Sequence, residues 1–358
     1  MAMQQYGLTA FRLGKFKGNT LKIASTREVL GKNGRQVEFP QGNSDTYVAR
    51  RWIPYGATSG NPNVFFQNNT AGTGSTDRGN QVVAAHYTAE GVTSAPDQLT
   101  PQDVTVVMQQ YNCLYGFTDK MARLSEDNIV AAMEKQIGQR VALVNEMEVF
   151  GKLKACTNVF YGGTGTSRAT TNGALTLPMV RKITKSLMAN HGEMVSEMLE
   201  AGKNYATAPV EAGYFVYGHT DLAPSIRDMP GFISTKEYAS GSPMPYEEGS
   251  VERFRFILTP EFVPIQDGGA SVASTPGFQS NLGTSNDVYQ VIVTAADAWS
   301  QVSVRGSDAM KSSLIMPGEI SKSDPHGQRG YAGAIWWKAS LIENNGWMAV
   351  ANVLVPAL

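Results

Sequence analysis

Residues 324–348 read DPHGQRGYAGAIWWKASLIENNGWM. Asp324, Pro325 and Gly327 supply turn chemistry, and residues 331–342 carry the aromatic and β-branched side chains of a strand. Asn345-Gly346 is the favoured pair for a two-residue type I′ turn, because both positions accept positive φ. Residues 347–355 then resume as a second apolar strand, so the stretch is expected to be a β-hairpin. Trp336, Trp337 and Trp347 are three of the five tryptophans in the chain. That concentration places the hairpin in a main core, with its tryptophans against the longest helix. No catalytic group stands in it.

Working outward, residues 125–154 give the clearest helical pattern. Ser125 is a good N-cap, and Glu126 and Asp127 occupy the first turn, where acids favour the helix dipole. Ile129, Met133, Ile137, Val141 and Val144 repeat at the spacing of a buried stripe. Glu148 and Lys152 form a favourable i,i+4 pair. A second helix is expected over 177–190, capped by Thr176 with Pro178 tolerated in its first turn, and a third over 194–200.

Strands are expected at 46–55, where Tyr47, Ala49 and Ile53 alternate with Arg50 and Trp52, and at 103–119. Between them lies a long linker rich in Gly, Asn, Thr and Pro, and two such strands closing over it describe an extended arm. Further strands fall at 213–218, 253–258 and 288–296. In 253–258, Phe254, Phe256 and Leu258 alternate with Arg253 and Arg255, the pattern of a half-buried strand. Residues 222–227 read as a short helix behind Asp221, and 268–286, without charge, as a flexible surface loop.

At 358 residues the chain can bury a large core and divide into lobes. Its formal net charge of −1 gives no global steering toward nucleic acid or membrane. Charge is unevenly spread, however: Arg12, Lys15, Lys17, Lys22, Arg27, Lys32 and Arg35 face only Glu28 across the first 35 residues. Two cysteines, Cys113 and Cys156, exclude a disulfide framework and read as buried thiols of a cytoplasmically folded chain. No stretch reaches the roughly 20 apolar residues of a membrane span, and no signal peptide is visible. Charged residues make up only 17%, which suggests surfaces covered by neighbours.

The search for chemistry returns no catalytic, cofactor or metal motif. Neither Gly-rich run, 72–79 or 162–165, has the glycine spacing of a dinucleotide loop. His86, His191, His219 and His326 are scattered without metal-ligand spacing. His219 with Asp221, at a strand exit, best imitates a catalytic pair and carries the hydrolase alternative, but Asp221 is better explained as a helix cap.

A resemblance becomes specific along three blocks. The first is His219-Thr220-Asp221-Leu222, Ile226-Arg227-Asp228-Met229-Pro230-Gly231-Phe232 and Glu237-Tyr238, continuing through residues 248–252, Phe254-Arg255-Phe256 and Pro260-Glu261. The second is Glu90-Gly91-Val92-Thr93, Asp103-Val104-Thr105, Gln110-Tyr111, Thr118-Asp119 and residues 124–127. The third is the opening stretch. Together they span residues 87–348 and resemble tailed-phage major capsid proteins of the type represented by the coat protein of phage N-four.

The resemblance implies an α+β, Hong Kong 97-like fold and no enzymatic activity. It divides the chain into an N-terminal arm (1–45), an extended loop hairpin with peripheral-domain strands (46–119) and a spine helix (120–174). An axial domain (175–320) and a C-terminal hairpin returning to the peripheral domain (321–358) follow. The expected role is self-assembly into hexamers and pentamers of an icosahedral virion capsid, built in the host cytoplasm around double-stranded DNA. Arg12, Lys15, Lys17 and Lys22 are then the candidates for nonspecific phosphate contact. Separate scaffold and portal proteins, and a decoration protein, are the further expected partners. Residues 61–86 and 268–286 depart from the pattern. An encapsulin-like shell is the alternative that keeps the fold, since fold alone does not separate the two.

Overall fold

The computed structural model describes residues 29–32, 34–39, 44–55, 57, 62–63, 86–88, 90–93, 96–124, 129–195, 212–238, 246–304, 310–318, 320 and 324–357. Fourteen residues of the opening stretch, Arg329–Ile342, extend as one strand, β13. Its residues 331–336 pair on one edge with β4 (Gln109–Thr118) and on the other with β12 (Met310–Ile315), both antiparallel. Residues 338–342 pair with β11 (Trp299–Val304), which takes β1 (Arg35–Phe39) in parallel on its far edge. The result is a five-stranded sheet assembled around β13.

A second, seven-stranded sheet runs in the order β5 (Val159–Tyr161), β14 (Met348–Val353), β10 (Tyr289–Thr294), β6 (Tyr214–Gly218), β9 (Phe254–Leu258), β8 (Glu247–Val251) and β7 (Phe232–Ser234). Its central strands are apolar on both faces because both faces are covered. Tyr214, Val216, Val291, Val293, Ala349 and Ala351 meet Met179, Val180, Ile183 and Leu187 of a helix over Leu177–Ala189. Phe215, Tyr217, Ile292 and Val350, one residue out of phase, meet Val149, Phe150 and Leu153.

Those last three end the longest helix, Ile129–Leu153. At 25 residues it is about 38 Å long, long enough to serve both sheets. Its first turns place Ile129, Met133, Ile137 and Val141 against Phe117, Ala332, Ala334 and Trp336 of the five-stranded sheet. A short helix over Asp119–Leu124 precedes it; residues 125–128, which carry the expected cap, lie outside the described residues. In chain order the helices are α1 (Asp119–Leu124), α2 (Ile129–Leu153), α3 (Leu177–Ala189) and α4 (Ala223–Arg227).

Five sequence expectations are corrected. First, β13 and β14 do not form a hairpin. Residues 345–347 make a 3₁₀ turn, Asn344 accepts from the Gly346 N–H at 3.0 Å, and the chain passes from one sheet to the other. Asn-Gly supplied the turn, but β14 goes on to pair with β10 and β5 instead of returning along β13. Second, the tryptophans do not all pack on α2: Trp336 does, its Nε1 donating to Asn145 at 2.9 Å, and Trp347 packs against the cluster that holds the end of α2 while donating to the Asn190 carbonyl, but Trp337 is exposed. Third, Arg255 is buried, so β9 is buried on both faces; its guanidinium makes two 2.8 Å hydrogen bonds to the carboxylate of Glu247. Fourth, residues 268–286 form a bonded loop. Asp287 accepts from the N–H groups of Asp267 and Asn281, and Asp267 accepts from that of Ser285. The charges that tie it lie at its flanks, outside the uncharged run. Fifth, Glu148 accepts from Ser340 rather than pairing with Lys152.

A further carboxylate on α2 has a structural task. Glu146 is buried and accepts from the backbone N–H groups of Val29 and Leu30 at 3.1–3.2 Å. This clips the start of the described chain to the middle of the molecule. Glu146→Ala should destabilise the protein by about 2–3 kcal/mol, because two buried donors lose their acceptor, read as a lower urea midpoint. Glu146→Gln, which keeps one acceptor oxygen, should recover more than half of that. An unchanged midpoint in the alanine variant would show that the clip contributes nothing.

Candidate functional site

An apolar face left open by a single chain lies on a two-stranded ribbon. Strand β2 (Thr46–Trp52) pairs antiparallel with β3 (Pro101–Val107) over seven residues, Thr46 opposite Val107 and Trp52 opposite Pro101. Alternation splits its side chains between two faces. Tyr47, Ala49, Arg51, Gln102, Val104 and Val106 lie toward the body and are half-buried. At the base of the ribbon Tyr47 and Val106 pack on Met108, Val302 and Ala339. An isolated two-stranded ribbon is marginally stable, and this base is what anchors it.

The opposite face is largely open. Trp52 is 58% exposed, Val48 47% and Val107 46%, where water would ordinarily select polar side chains. Across its middle, Arg50 clasps Asp103 with both ends of the fork, at 2.7 and 2.8 Å. The two are directly opposed in register. This hydrogen-bonded pair holds the Asp103 carboxyl below the usual carboxylate range and raises the Arg50 guanidinium. On the other face, burial lowers the Arg51 guanidinium although Glu343 opposes the shift, and Arg51 donates to Gln102 at 2.9 Å. Cross-strand pairs of this kind fix the register, so the exposed apolar residues are held in place. A register-locked face with an aromatic residue and an ion pair can dock another surface; its carboxylate, Asp103, is engaged by Arg50.

The best enzymatic candidate resolves into structure. His219 and Asp221 do meet, Nδ1 to Oδ2 at 3.2 Å. Yet the His219 Nδ1 accepts the Asp221 backbone N–H at 3.1 Å and so caps a 3₁₀ turn over Thr220–Leu222, while the helix that follows has Leu222 at its N-cap, without the side-chain cap expected from Asp221. The Asp221 carboxylate accepts from the Tyr289 hydroxyl at 2.7 Å. No serine or cysteine hydrogen-bonds to His219 among the described residues, so the pair holds the end of β6 against β10. The glycines of 162–165 have a packing reason as well. A Cβ on Gly162 would stand 2.1 Å from the Gly173 carbonyl oxygen, so the loop closes only without side chains. Both cysteines are buried and their thiols are pushed up by burial. Among the described residues no His, Cys, Asp and Glu group could hold a metal ion, and no helix is long and apolar enough to cross a membrane. Arg12, Lys15, Lys17 and Lys22 lie outside the described residues. Sequence reading missed the open face of the ribbon, although Val48, Trp52 and Val107 stand at alternating positions of two strands it identified.

Tyr289 also sets a pH dependence. Burial, then Asp221, holds its phenol well above the usual range, and burial raises Tyr111, Tyr214 and Tyr238 in the same direction. The folded state therefore favours neutral phenols, while unfolded tyrosines ionise near about pH 10. Stability from this source should be constant below that pH and fall above it. Tyr289→Phe should lose about 1 kcal/mol at neutral pH and show a shallower alkaline decline, read from urea midpoints at increasing pH.

Comparison with known proteins places these features. No known sequence family matches the chain. It is 20% identical over 260 residues to the major capsid protein of Pseudomonas phage KPP21, an alignment covering 67% of this chain. The aligned part is 66% of that relative, just short of two thirds of its length. Among solved structures, the capsid of Ralstonia phage GP4 superposes with a TM-score of 0.59 at 9% identity, covering 93% of this chain and 92% of that one. The capsid of cyanophage Pam1 does so with a TM-score of 0.54 at 10% identity, over 100% and 98%. The chain has the α+β fold of bacteriophage capsid subunits and is related in sequence to a phage major capsid protein.

Proposed function

We propose that this chain is the major capsid protein of a tailed, double-stranded-DNA bacteriophage, assembling into the hexamers and pentamers of an icosahedral head. The observation that carries the reading is the likeness to capsid subunits along nearly the whole chain. The ribbon supports it physically. Its open face of Val48, Trp52 and Val107 suits a neighbouring subunit, because repeated copies cover each other's apolar surfaces under closed symmetry. On this reading the fold is Hong Kong 97-like. Residues 46–119 include the extended loop, 120–174 the spine helix, 175–320 the axial domain, and 1–45 an arm. Residues 321–358 are the C-terminal segment returning to the peripheral domain, with β14 in the seven-stranded sheet. The proposed role is structural rather than enzymatic, and the product is a shell in the virion. The partners are packaged DNA, approached by Arg12, Lys15, Lys17 and Lys22, together with scaffold, portal and decoration proteins.

Electron microscopy of the full chain, expressed alone and with its scaffold protein, tests the proposal. Uniform closed shells or capsomers are expected, and a persistent monomer under both conditions would sink it. Trp52→Asp should abolish shells while leaving the urea midpoint of the subunit within about 0.5 kcal/mol of the parent, as for other exposed positions. Shells formed normally by that variant would remove the ribbon face from the assembly contact.

A further inference from the structure

Helix α3 has one apolar face and one cationic face. Met179, Val180, Ile183 and Leu187 enter the core, while Arg181, Lys182 and Lys185 are exposed, and the helix contains no acid. Arg181 and Lys185 lie about one turn apart, near 5.4 Å along the axis. Arg253, presented by the turn between β8 and β9, extends the row: its Nη1 lies 3.1 Å from the Met188 sulfur. Lys182 flanks the row, its ammonium 5.8 Å from the centre of the Phe160 ring. A shallow groove runs between helix and turn, lined by Arg181, Thr184, Lys185, Met188, Glu252 and Arg253. Glu252 is the one carboxylate there. It accepts from Arg181 at 2.6 and 2.8 Å, but the two side chains are 62% and 38% exposed, so water screens the pair. Four cations against one carboxylate stand out on a chain whose formal net charge is −1.

We infer that this cationic face of α3, continued by Arg253, is a contact surface for the phosphate backbone of double-stranded DNA. The identity of the polyanion rests on the capsid reading; the need for one rests on the charges. Protein interfaces are depleted of lysine and centre on buried apolar and aromatic anchors. Among the described residues this face offers Met188 as its large exposed apolar side chain. Backbone contacts by Lys and Arg need no anchor and read no sequence. A duplex presents a phosphate about every 3.4 Å along each strand, so cations a helical turn apart can each find one. Contact would be salt-sensitive and indifferent to base sequence.

The test uses the unassembled full-length chain and a mixed-sequence duplex of about 30 base pairs, titrated by fluorescence anisotropy between about 50 and 200 mM salt. The variant Arg181→Gln/Lys182→Gln/Lys185→Gln should bind about tenfold or more weakly at the lower salt. Its plot of log affinity against log salt should lose about 2–3 units of slope, close to 0.9 per phosphate contact. Circular dichroism should match the parent, since all three side chains are exposed. An unchanged slope overturns the inference. So does an equal loss in Lys236→Gln/Lys311→Gln/Arg329→Gln, which would make binding diffuse, or a preference for polyglutamate over duplex, which would make the face a site for acidic proteins. The capsid reading is separable. Shells with an unchanged slope defeat this inference alone, while a lost slope in a chain that never assembles defeats the capsid reading and leaves the surface.

Discussion

A β-strand exposes a row of donors and acceptors along each edge, and burying the strand obliges every one of them to find a partner. Residues 329–342 face that obligation over a length unmatched elsewhere among the described strands. They meet it with three separate segments: β4 from early in the chain, and β11 and β12 from late in it. With β13 held by those three segments, β14 joins a different sheet. It pairs with β10 and β5, and in doing so brings the seven-stranded sheet to the end of the five-stranded one. The long helix α2 then has one place to lie, with its first turns on Trp336 and its last on Tyr217 and Val350.

Much of this was legible before any coordinates. The stripe Ile129, Met133, Ile137, Val141 announced α2, because a helical period survives whatever it packs against. The alternation through Tyr47, Ala49 and Ile53 announced β2. Partners were harder to read. Arg255 looked solvent-facing because its carboxylate, Glu247, comes from the preceding strand, and a single strand does not state what opposes it. The hairpin at Asn345-Gly346 failed for a related reason. Local turn chemistry favours reversal, but sheet membership is decided by long-range competition for edges. The loop at 268–286 looked mobile from its own composition, since the carboxylates of Asp267 and Asp287 that staple it stand at or beyond its margins.

The candidate site shows the same division. His219 with Asp221 proved to be a cap and a strut, with the His219 Nδ1 engaged by the Asp221 N–H and the Asp221 carboxylate by the Tyr289 hydroxyl. What could not be read was the open face of Val48, Trp52 and Val107. Exposure belongs to the folded chain, and a tryptophan in a strand is ordinarily taken for core. The cationic row on α3 was hidden differently: Arg253 joins it only through the turn between β8 and β9.

The registers also say something about time. Gln109 pairs with Lys338, 229 positions further on by the difference of their numbers, and Arg35 pairs with Ser300. At about 5–20 residues per second of synthesis, the first member of the Gln109–Lys338 pair waits roughly 10–45 seconds for the second. During that interval β4 is an unpaired edge. The base of the ribbon lacks Val302 and Ala339 until late, although β2 and β3 are complete by residue 107. A nascent chain thus displays its sticky ribbon well before it owns the rigid body meant to carry it. Whatever shields that ribbon on the ribosome governs the yield of usable subunits as much as their final stability does.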